Sequence, residues 1–306
     1  MAGICEGRVV AITGAGNGIG REHALLFARE GAKVVVNDLG GARDGTGPDT
    51  GAAQAVVDEI TAAGGTAVAN TSNIATHDGA KALIDQAVQT YGDIHVLVNN
   101  AGILRDRMLV NMAEAEWDAV IAVHLKGTYG PMHHAAQHWR DQSKAGKDVD
   151  ARIINTSSAS GVFGNVGQAN YGAAKAGIAA MTVISSMELA RYGITVNAIS
   201  PTALTRMTAD LERFKGDAVP DELPAAGISP LVVWLGSPLS AGITGRVFGV
   251  KGGRITVFEG WANGPFAERD GVWDPGELTE VVPGLVAKAA GNAGMDGQRP
   301  AKPTRG

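Results

Sequence analysis

The stretch "RVVAITGAGNGIG" (Arg8–Gly20) places a short apolar, β-branched run directly before a glycine-rich turn. The residues that follow have helical spacing, so the pattern predicts a strand, a turn and a helix. Glycines let the backbone approach a pyrophosphate, and a helix N-terminus offers unpaired N–H groups with a partial positive charge. The stretch therefore predicts a dinucleotide-phosphate site formed by Gly14, Asn17, Gly18, Ile19 and Gly20.

Six further apolar runs follow the first one at regular intervals. They are "KVVVN" from Lys33, "TAVAN" from Thr66, "IHVLVN" from Ile94, "ARIINT" from Ala151, "ITVNAI" from Ile194 and "RVFGV" from Arg246. Runs that are apolar throughout are typical of strands buried on both faces of a parallel sheet. Segments with helical spacing separate them, at 18–30, 51–63, 77–91, 114–140, 170–191 and 228–236. This alternation predicts an α/β fold with a doubly wound parallel sheet of the Rossmann type.

The alternation also sets the expected domain organisation. We expect one dinucleotide-binding catalytic domain over residues 7–253 and a C-terminal extension over 254–306, which ends in a polar, Gly- and Pro-rich stretch and is partly disordered. A glycine-rich loop (40–50) and a segment of mixed character (202–227), placed where a lid would lie, fall outside the alternation.

Composition limits the class of protein. The net charge of −5 argues against a nucleic-acid surface, although a local basic pocket for a phosphorylated ligand stays open. No apolar run reaches the roughly 18 residues needed to cross a bilayer, and the N-terminus does not have the pattern of a signal peptide. The only cysteine, Cys5, cannot form an internal disulfide, which fits a reducing compartment. We therefore expect a cytoplasmic protein that binds neither nucleic acid nor membrane.

Two strand ends define the expected cofactor. The second apolar run ends in "VVVNDLGG", where Asp38 can accept hydrogen bonds from the adenosine ribose hydroxyls and repel a 2′-phosphate. This predicts NAD rather than NADP. The fourth run ends in "NNAG", and ligands of doubly wound sheets lie at the carboxyl ends of strands, so Asn100, Ala101 and Gly102 are expected beside the cofactor.

The stretch "SSASGVFGNVGQANYGAAK" (Ser157–Lys175) predicts the catalytic groups. Tyr171 and Lys175 are four residues apart and share one face of a predicted helix. A neighbouring ammonium favours the phenolate form of a tyrosine, which can then exchange a proton with an alcohol or carbonyl while hydride moves to or from a nicotinamide. The hydroxyl of Ser158 can hold the substrate oxygen. Together, the three groups predict an alcohol–ketone proton-transfer site.

With the "TGAGNGIG" and "NNAG" turns, this set resembles the short-chain dehydrogenase/reductase family over roughly residues 7–253. The resemblance implies that Tyr171 is the general acid/base, that Lys175 also binds ribose and that Ser158 stabilises the substrate oxygen. His124, in "IAVHLKGTYG", stands where the family has an asparagine of the proton relay. A homodimer or homotetramer is also implied, as are further cofactor contacts at Asn73, Ile74 and Pro201.

Five segments, among them "NNAGILRDRM" and "AVHLKGT", resemble more narrowly the dehydrogenase domains of the peroxisomal multifunctional type 2 enzymes. That resemblance implies a stand-alone bacterial relative that oxidises (3R)-hydroxyacyl-CoA in fatty-acid or sterol side-chain degradation. Arg105 and Arg107 could meet CoA phosphates or could be solvated. The alternatives are a steroid or other secondary-alcohol dehydrogenase and a non-catalytic NAD-binding regulator.

A histidine-rich stretch, "HHAAQH", contains His134 and His138 at a spacing that can ligate zinc. No cysteine or carboxylate completes a ligand set in the neighbouring sequence, and the resembled family needs no metal. We interpret the stretch as a polar helix face and expect no metal site.

Overall fold

The computed structural model describes residues 3–40, 44, 47, 51–203 and 223–299. Its centre is an eight-stranded sheet in the order β3-β2-β1-β4-β5-β6-β7-β8. The strands are β1 (Val9–Thr13), β2 (Lys33–Asn37), β3 (Thr66–Asn70), β4 (Val96–Asn99), β5 (Ala151–Thr156), β6 (Ile194–Thr202), β7 (Val247–Lys251) and β8 (Arg254–Phe258). The first seven are the predicted apolar runs, and all of their pairings are parallel. The predicted Rossmann-type α/β fold is therefore confirmed.

The chain changes direction across the sheet between its third and fourth strands. From the outer strand β3 it returns past β2 and β1 and continues with β4, which pairs with β1 on the side opposite β2. The carboxyl ends of β1 and β4 thus flank the point where the strand order reverses. Ligands of open α/β sheets bind at such a point, so the topology places the glycine-rich turn and the "NNAG" turn at the expected site.

The helices cover both faces of the sheet. They are α1 (Gly18–Arg29), α2 (Gly51–Ala62), α3 (His77–Tyr91), α4 (Glu114–Ile121), α5 (Gly127–Lys144), α6 (Ala159–Val162), α7 (Ala169–Leu189), α8 (Ser229–Gly236) and α9 (Leu278–Lys288). Successive strand residues point to opposite faces. Val10 and Ile12 accordingly join the core that packs on α1, α2 and α8, whereas Val9 and Ala11 join the core under α3, α5 and α7.

One predicted helix contains an irregular turn. The segment expected as a single helix over 114–140 consists of α4, a π-helical turn at Ala122–Lys126 and α5, which continues to Lys144. A π turn accommodates one extra residue and changes the direction in which side chains point, and such turns are frequent at functional sites. His124 lies inside it.

The sheet continues past residue 253, where the sequence analysis ended the catalytic domain. β8 pairs antiparallel with β7 through a two-residue turn, Gly252–Gly253, in which Gly252 has a φ of 52°. A Gly-Gly pair between two β-branched runs is a hairpin signal. None of the residues of β8 is buried, and the polar Arg254 and Thr256 interrupt its apolar run, so the strand lacks the continuous apolar pattern of the others.

The chain divides into two compact units, Met1–Phe258 and Glu259–Gly306. The second unit contains α9, an element that the sequence analysis did not predict. Most of the predicted lid (204–222) and the last seven residues (300–306) lie outside the described residues, as does most of the glycine-rich loop at 40–50. None of the described helices is long and apolar enough to cross a membrane.

Candidate active site

The glycine-rich turn packs tightly against the turn after β4. Gly14 has a φ of 64°, and a Cβ there would lie 2.7 Å from the Cα of Ala101. A Cβ on Gly20 would lie 2.1 Å from the carbonyl oxygen of Gly14. Only glycine permits both the left-handed backbone and these approaches. The start of α1, with Gly18 and Ile19 in its first turn, is thereby held beside the "NNAG" turn.

Hydrogen bonds fix the same junction. Asn100 Nδ2 donates to the carbonyl oxygens of Thr13 (3.2 Å) and Gly14 (3.0 Å). Thr13 Oγ1 accepts from the backbone N–H groups of Asn100 (3.0 Å) and Ala101 (3.1 Å). The sequence analysis missed Thr13, although its position as the last residue of β1 could have pointed to it. The side chains of Asn100 and Thr13 therefore hold the glycine-rich turn and the "NNAG" turn together through backbone hydrogen bonds.

Asp38 directly follows β2 and its carboxylate lies beside the glycine-rich turn. Its Oδ2 accepts from the N–H of Gly16 (2.7 Å) and its Oδ1 from the N–H of Gly40 (2.6 Å). Each carboxylate oxygen can accept a further hydrogen bond, so the group can still hold ribose hydroxyls. A Cβ on Gly16 would come within 2.8 Å of both Asp38 Oδ2 and Ala52 Cβ. The bare glycine backbone, the start of α1 and Asp38 therefore fit a dinucleotide.

The remaining predicted cofactor contacts occupy the same edge of the sheet. Asn17 is the exposed N-cap of α1, and its side chain makes no capping hydrogen bond. Asn73 follows β3, and its Oδ1 accepts from the N–H of Ala75 (3.0 Å). Ile74 is 5 % exposed and belongs to the core, so its backbone is the part that can face a ligand. Pro201 lies near the carboxyl end of β6, in register with Val250 of β7.

The three predicted catalytic residues come from adjacent elements. Ser158 follows β5 and is the N-cap of α6, its Oγ accepting from the N–H of Ser160 (3.2 Å). Tyr171 and Lys175 lie on consecutive turns at the start of α7. The Nζ of Lys175 is 5.6 Å from the centroid of the Tyr171 ring. The helix α6 packs against α7 because Gly161 approaches so closely that a Cβ would lie 2.5 Å from the N of Ala176.

Lys175 is the most unusual charged group of the site. It is 3 % exposed, and its Nζ donates to the carbonyl oxygen of Thr156 at the end of β5 (2.6 Å). Burial lowers the pKa of Lys175 to about 7, because the ammonium form loses its hydration. Strongly perturbed lysines of this kind are typical of functional sites. Ser157 holds the same helical turn from the other side, its Oγ donating to the carbonyl oxygen of Lys175 (2.8 Å).

His124 contacts the site through its ring. The ring lies edge-on to that of Tyr171 with centroids 5.1 Å apart, and Nε2 is bonded to the backbone of Ile103. Burial and, to a smaller extent, the charge of Lys175 lower the pKa of His124 to about 3. The imidazole is therefore neutral at physiological pH. It packs against the phenol ring and cannot serve as a cationic acid.

The space around His124 depends on Gly102, which gives a first prediction. A Cβ on Gly102 would lie 2.4 Å from Cε1 of His124. The buried imidazole is hydrogen-bonded to the Ile103 backbone, so it cannot move aside without losing those bonds. We expect Gly102→Ala to lower the free energy of unfolding by about 1–3 kcal/mol and to reduce turnover, as measured by urea unfolding and a steady-state assay.

The matched control for this prediction is Gly253→Ala. A Cβ on Gly253 meets no heavy atom within 4 Å. Its free energy of unfolding should stay within about 0.5 kcal/mol of that of the wild type. Equal effects of the two substitutions would contradict the packing argument.

The two arginines after "NNAG" have partners within the protein. Arg107 forms an ion pair with Glu116 (3.3 Å), although its side chain is 61 % exposed. Arg105 Nε donates to the carbonyl oxygen of Asp44 (3.0 Å). Both lie on the loop that continues the "NNAG" turn, so the alternatives of phosphate contact and simple solvation stay open for them.

The histidine-rich stretch lies on α5, away from these residues. His138 Nε2 lies 2.7 Å from Asp93 Oδ1, and the ring of His134 lies 4.4 Å from that of His77, centroid to centroid. Among the described residues, no group of three or more histidine, cysteine, aspartate or glutamate side chains could hold a metal ion.

Comparisons with known proteins agree with this geometry. The sequence profile of the short chain dehydrogenase family matches residues 8–216. The hydroxyacyl-CoA dehydrogenase ChsB1 of Mycobacterium tuberculosis is 46% identical over 291 residues, which are 90% of this chain and 88% of that protein. The peroxisomal multifunctional enzyme type 2 of Drosophila melanogaster is 47% identical over 230 residues, which are 75% of this chain but 36% of the enzyme.

A solved structure extends the likeness to the whole fold. The crystal structure of a short chain dehydrogenase from Mycobacterium avium has a TM-score of 0.86 and 56% sequence identity, over 95% of this chain and 99% of that one. The chain belongs to the short-chain dehydrogenase family. It is accordingly an oxidoreductase that acts on a small molecule with a nicotinamide cofactor.

Proposed function

We propose that the protein oxidises (3R)-hydroxyacyl-CoA to 3-oxoacyl-CoA with NAD, in fatty-acid or sterol side-chain degradation. The observation that carries the chemistry is the placement of Tyr171 beside buried Lys175 and next to the Ser158 turn. The substrate class rests on the similarity to ChsB1, which is named a hydroxyacyl-CoA dehydrogenase, and to the multifunctional enzymes. The alternative is that the same site oxidises a steroid or another secondary alcohol. A panel of substrates distinguishes the two functions.

Each residue has a defined part in the reaction. Bound NAD supplies the acceptor for the hydride that leaves the carbinol carbon. Ser158 donates a hydrogen bond to the substrate oxygen, and Tyr171 takes the hydroxyl proton as the ketone forms. The charge of Lys175 favours the phenolate form that can accept this proton. The net change is one alcohol oxidised to a ketone, with one hydride and one proton removed.

His124 is assigned a packing part in the same reaction. Its neutral ring borders the phenol of Tyr171, and the bond from its Nε2 to the Ile103 backbone holds the imidazole in that place. We propose that Gly14, Asn17, Gly18, Ile19 and Gly20 bind the pyrophosphate and that Asp38 binds the adenosine ribose. Asn73, Ile74, Asn100, Ala101, Gly102 and Pro201 complete the cofactor site in this proposal, with Tyr171 and Lys175 beside the nicotinamide ribose.

The choice of NAD over NADP gives a second prediction. A 2′-phosphate on the ribose would approach the carboxylate of Asp38, and juxtaposed like charges cost several kcal/mol. We expect kcat/KM to be higher with NAD than with NADP by about 10²-fold or more. Asp38→Ala should reduce the difference in kcat/KM between the two cofactors, chiefly by lowering kcat/KM with NAD. Equal use of both cofactors by the wild type would remove this role from Asp38.

Substrate class is tested by a panel of thioesters and alcohols. The panel contains (3R)- and (3S)-hydroxyacyl-CoAs of several chain lengths, free steroids and simple secondary alcohols, and NADH formation is followed by absorbance. Bound NAD would accept the hydride on one side of the carbinol carbon and Tyr171 would take the hydroxyl proton from a fixed direction, so we expect the (3R) thioesters to react in preference to the (3S) thioesters. A free steroid that reacts faster than every thioester would favour the alternative and leave the alcohol chemistry in place.

The proposal includes a homodimer or homotetramer and a cytoplasmic location. The outer face of α7 carries apolar side chains, with Val183, Ile184 and Met187 exposed by 41%, 51% and 70%. Exposed apolar faces of this kind commonly mark protein contacts. The single cysteine, Cys5, is buried and free, which fits a reducing compartment. The non-catalytic alternative is disfavoured by the family assignment, since the chain is an oxidoreductase.

A further inference from the structure

A buried asparagine directly precedes the proposed acid/base. Asn170 is the second residue of α7 and has no exposed surface. It belongs to none of the groups assigned to the reaction or the cofactor above. A buried amide is retained only when its hydrogen bonds are made, so the partners of Asn170 show what it holds in place.

Both ends of the Asn170 side chain are bonded. Its Oδ1 accepts from the backbone N–H of Tyr171 (2.7 Å). Its Nδ2 donates to the carbonyl oxygens of Arg105 (3.0 Å) and Glu116 (3.2 Å). The orientation of the amide is unambiguous, because an N–H can face only its oxygen and two carbonyls can face only its nitrogen.

These partners belong to the elements that border the reaction site. Arg105 lies on the loop that continues the "NNAG" turn, and Glu116 lies in the first turn of α4. The same loop is bonded to the turn before α7 through Arg107 N–H to the Gly167 carbonyl (2.9 Å) and Gln168 Nε2 to Asp106 Oδ2 (2.8 Å). We call this set of contacts between residues 105–107, Glu116 and residues 167–170 the clasp.

We propose that Asn170 is a positioning residue that fixes Tyr171 against the cofactor-side loop. The inference rests on the proposed function. The first N–H groups of a helix have no partner within it, so the start of α7 is held by contacts from outside. Asn170 binds the Tyr171 backbone to the loop on one side, and Lys175 binds the next turn to the Thr156 carbonyl on the other. The phenol is thereby fixed between two anchors.

The test compares Asn170→Ala with the matched control Asn197→Ala. Asn197 is 1% exposed, its Nδ2 donates to the Ile243 carbonyl (2.7 Å) and its Oδ1 accepts from the N–H of Arg246 (3.1 Å). Both substitutions remove a buried asparagine that is hydrogen-bonded at both ends of its amide, but only the first one touches the clasp. Unfolding curves and NAD calorimetry establish that each variant is folded and binds cofactor.

Turnover is the first readout. For Asn170→Ala we expect kcat with (3R)-hydroxyacyl-CoA to fall about 10²-fold, since a misplacement of about 1 Å costs that much, while the KM for NAD changes little. Asn197→Ala should retain kcat. Asn170→Ser keeps an acceptor for the Tyr171 N–H and one donor, so it should recover part of the lost turnover.

Titration of the phenol is the second readout, and it needs no acyl substrate. The absorbance of the Tyr171 phenolate is obtained by subtracting Tyr171→Phe spectra at each pH in the presence of NAD. Lys175 and His124 face this ring, and a phenol displaced from the ammonium should ionise at a higher pH. Asn197→Ala should leave the midpoint in place.

The outcomes separate the positioning role from the proposed function. Absence of thioester turnover by the wild type would defeat the proposed function, whereas the phenol titration would still decide the role of Asn170. If Asn170→Ala has the kcat and titration midpoint of Asn197→Ala, Asn170 is structural only and the inference is overturned.

Discussion

Tyr171→Phe should lose about 10³- to 10⁴-fold in kcat while binding NAD with nearly unchanged affinity. The substitution keeps the ring and removes the hydroxyl that takes the substrate proton, and general acid–base catalysis contributes up to about this much. The edge-on contact with His124 persists, since it involves only the rings. Steady-state kinetics and calorimetry with NAD are the measurements.

The matched control is Tyr91→Phe. Tyr91 ends α3, and the Nζ of Lys33 lies 5.9 Å from the centroid of its ring, so it is also a tyrosine beside an ammonium. Lys33 begins β2, however, and therefore lies at the amino edge of the sheet. Tyr91→Phe should retain turnover. Survival of turnover in Tyr171→Phe would remove the acid/base role from that residue.

Lys175→Met should abolish most turnover and weaken NAD binding. It should also remove a rise with pH in the free energy of unfolding that we expect of the wild type. The folded pKa of about 7 is far below the ordinary lysine value of 10.5 that holds in the unfolded chain, so between these values the unfolded chain binds more protons than the folded one. The free energy of unfolding of the wild type should therefore rise with pH in this window, by up to about 1.4 kcal/mol per pH unit. Below pH 7 the full penalty of the buried ammonium is present.

The variant should lack this rise, because methionine keeps an apolar stem and carries no titrating group. Urea unfolding without cofactor, at several pH values from 7 to 10, measures the difference between the two proteins. Parallel pH profiles would show that Lys175 is not desolvated as its burial indicates. If Lys175→Met bound NAD as tightly as the wild type does, Lys175 would not bind the ribose.

Much of the fold could be predicted because parallel strands buried on both faces leave a strong pattern. The seven apolar runs became β1 to β7, and the strand-ending residues Asp38 and Asn100 came together at one edge of the sheet. β8 was not predicted, because the polar Arg254 and Thr256 interrupt its apolar run, although the Gly252–Gly253 turn was a usable signal.

Features that arise from packing were not predictable. The π turn around His124 adds one residue to a single helical turn, and local helical spacing in the sequence does not reveal it. Asn170 resembles an ordinary polar helix residue in the sequence. Its partners Arg105 and Glu116 are separated from it by 65 and 54 positions, so only the folded chain shows its part.

Hydride transfer from the substrate carbon tests the central proposal most directly. The measurement uses (3R)-hydroxyacyl-CoA with deuterium at C3, incubated with the wild-type protein and NAD, followed by mass spectrometry of the NADH formed. The proposed function predicts deuterium in the NADH from the (3R) thioester, about 10³-fold less labelled NADH or lower with Tyr171→Phe in the same time, and none from the (3S) thioester. Unlabelled NADH, or label transferred equally from both enantiomers, would contradict it.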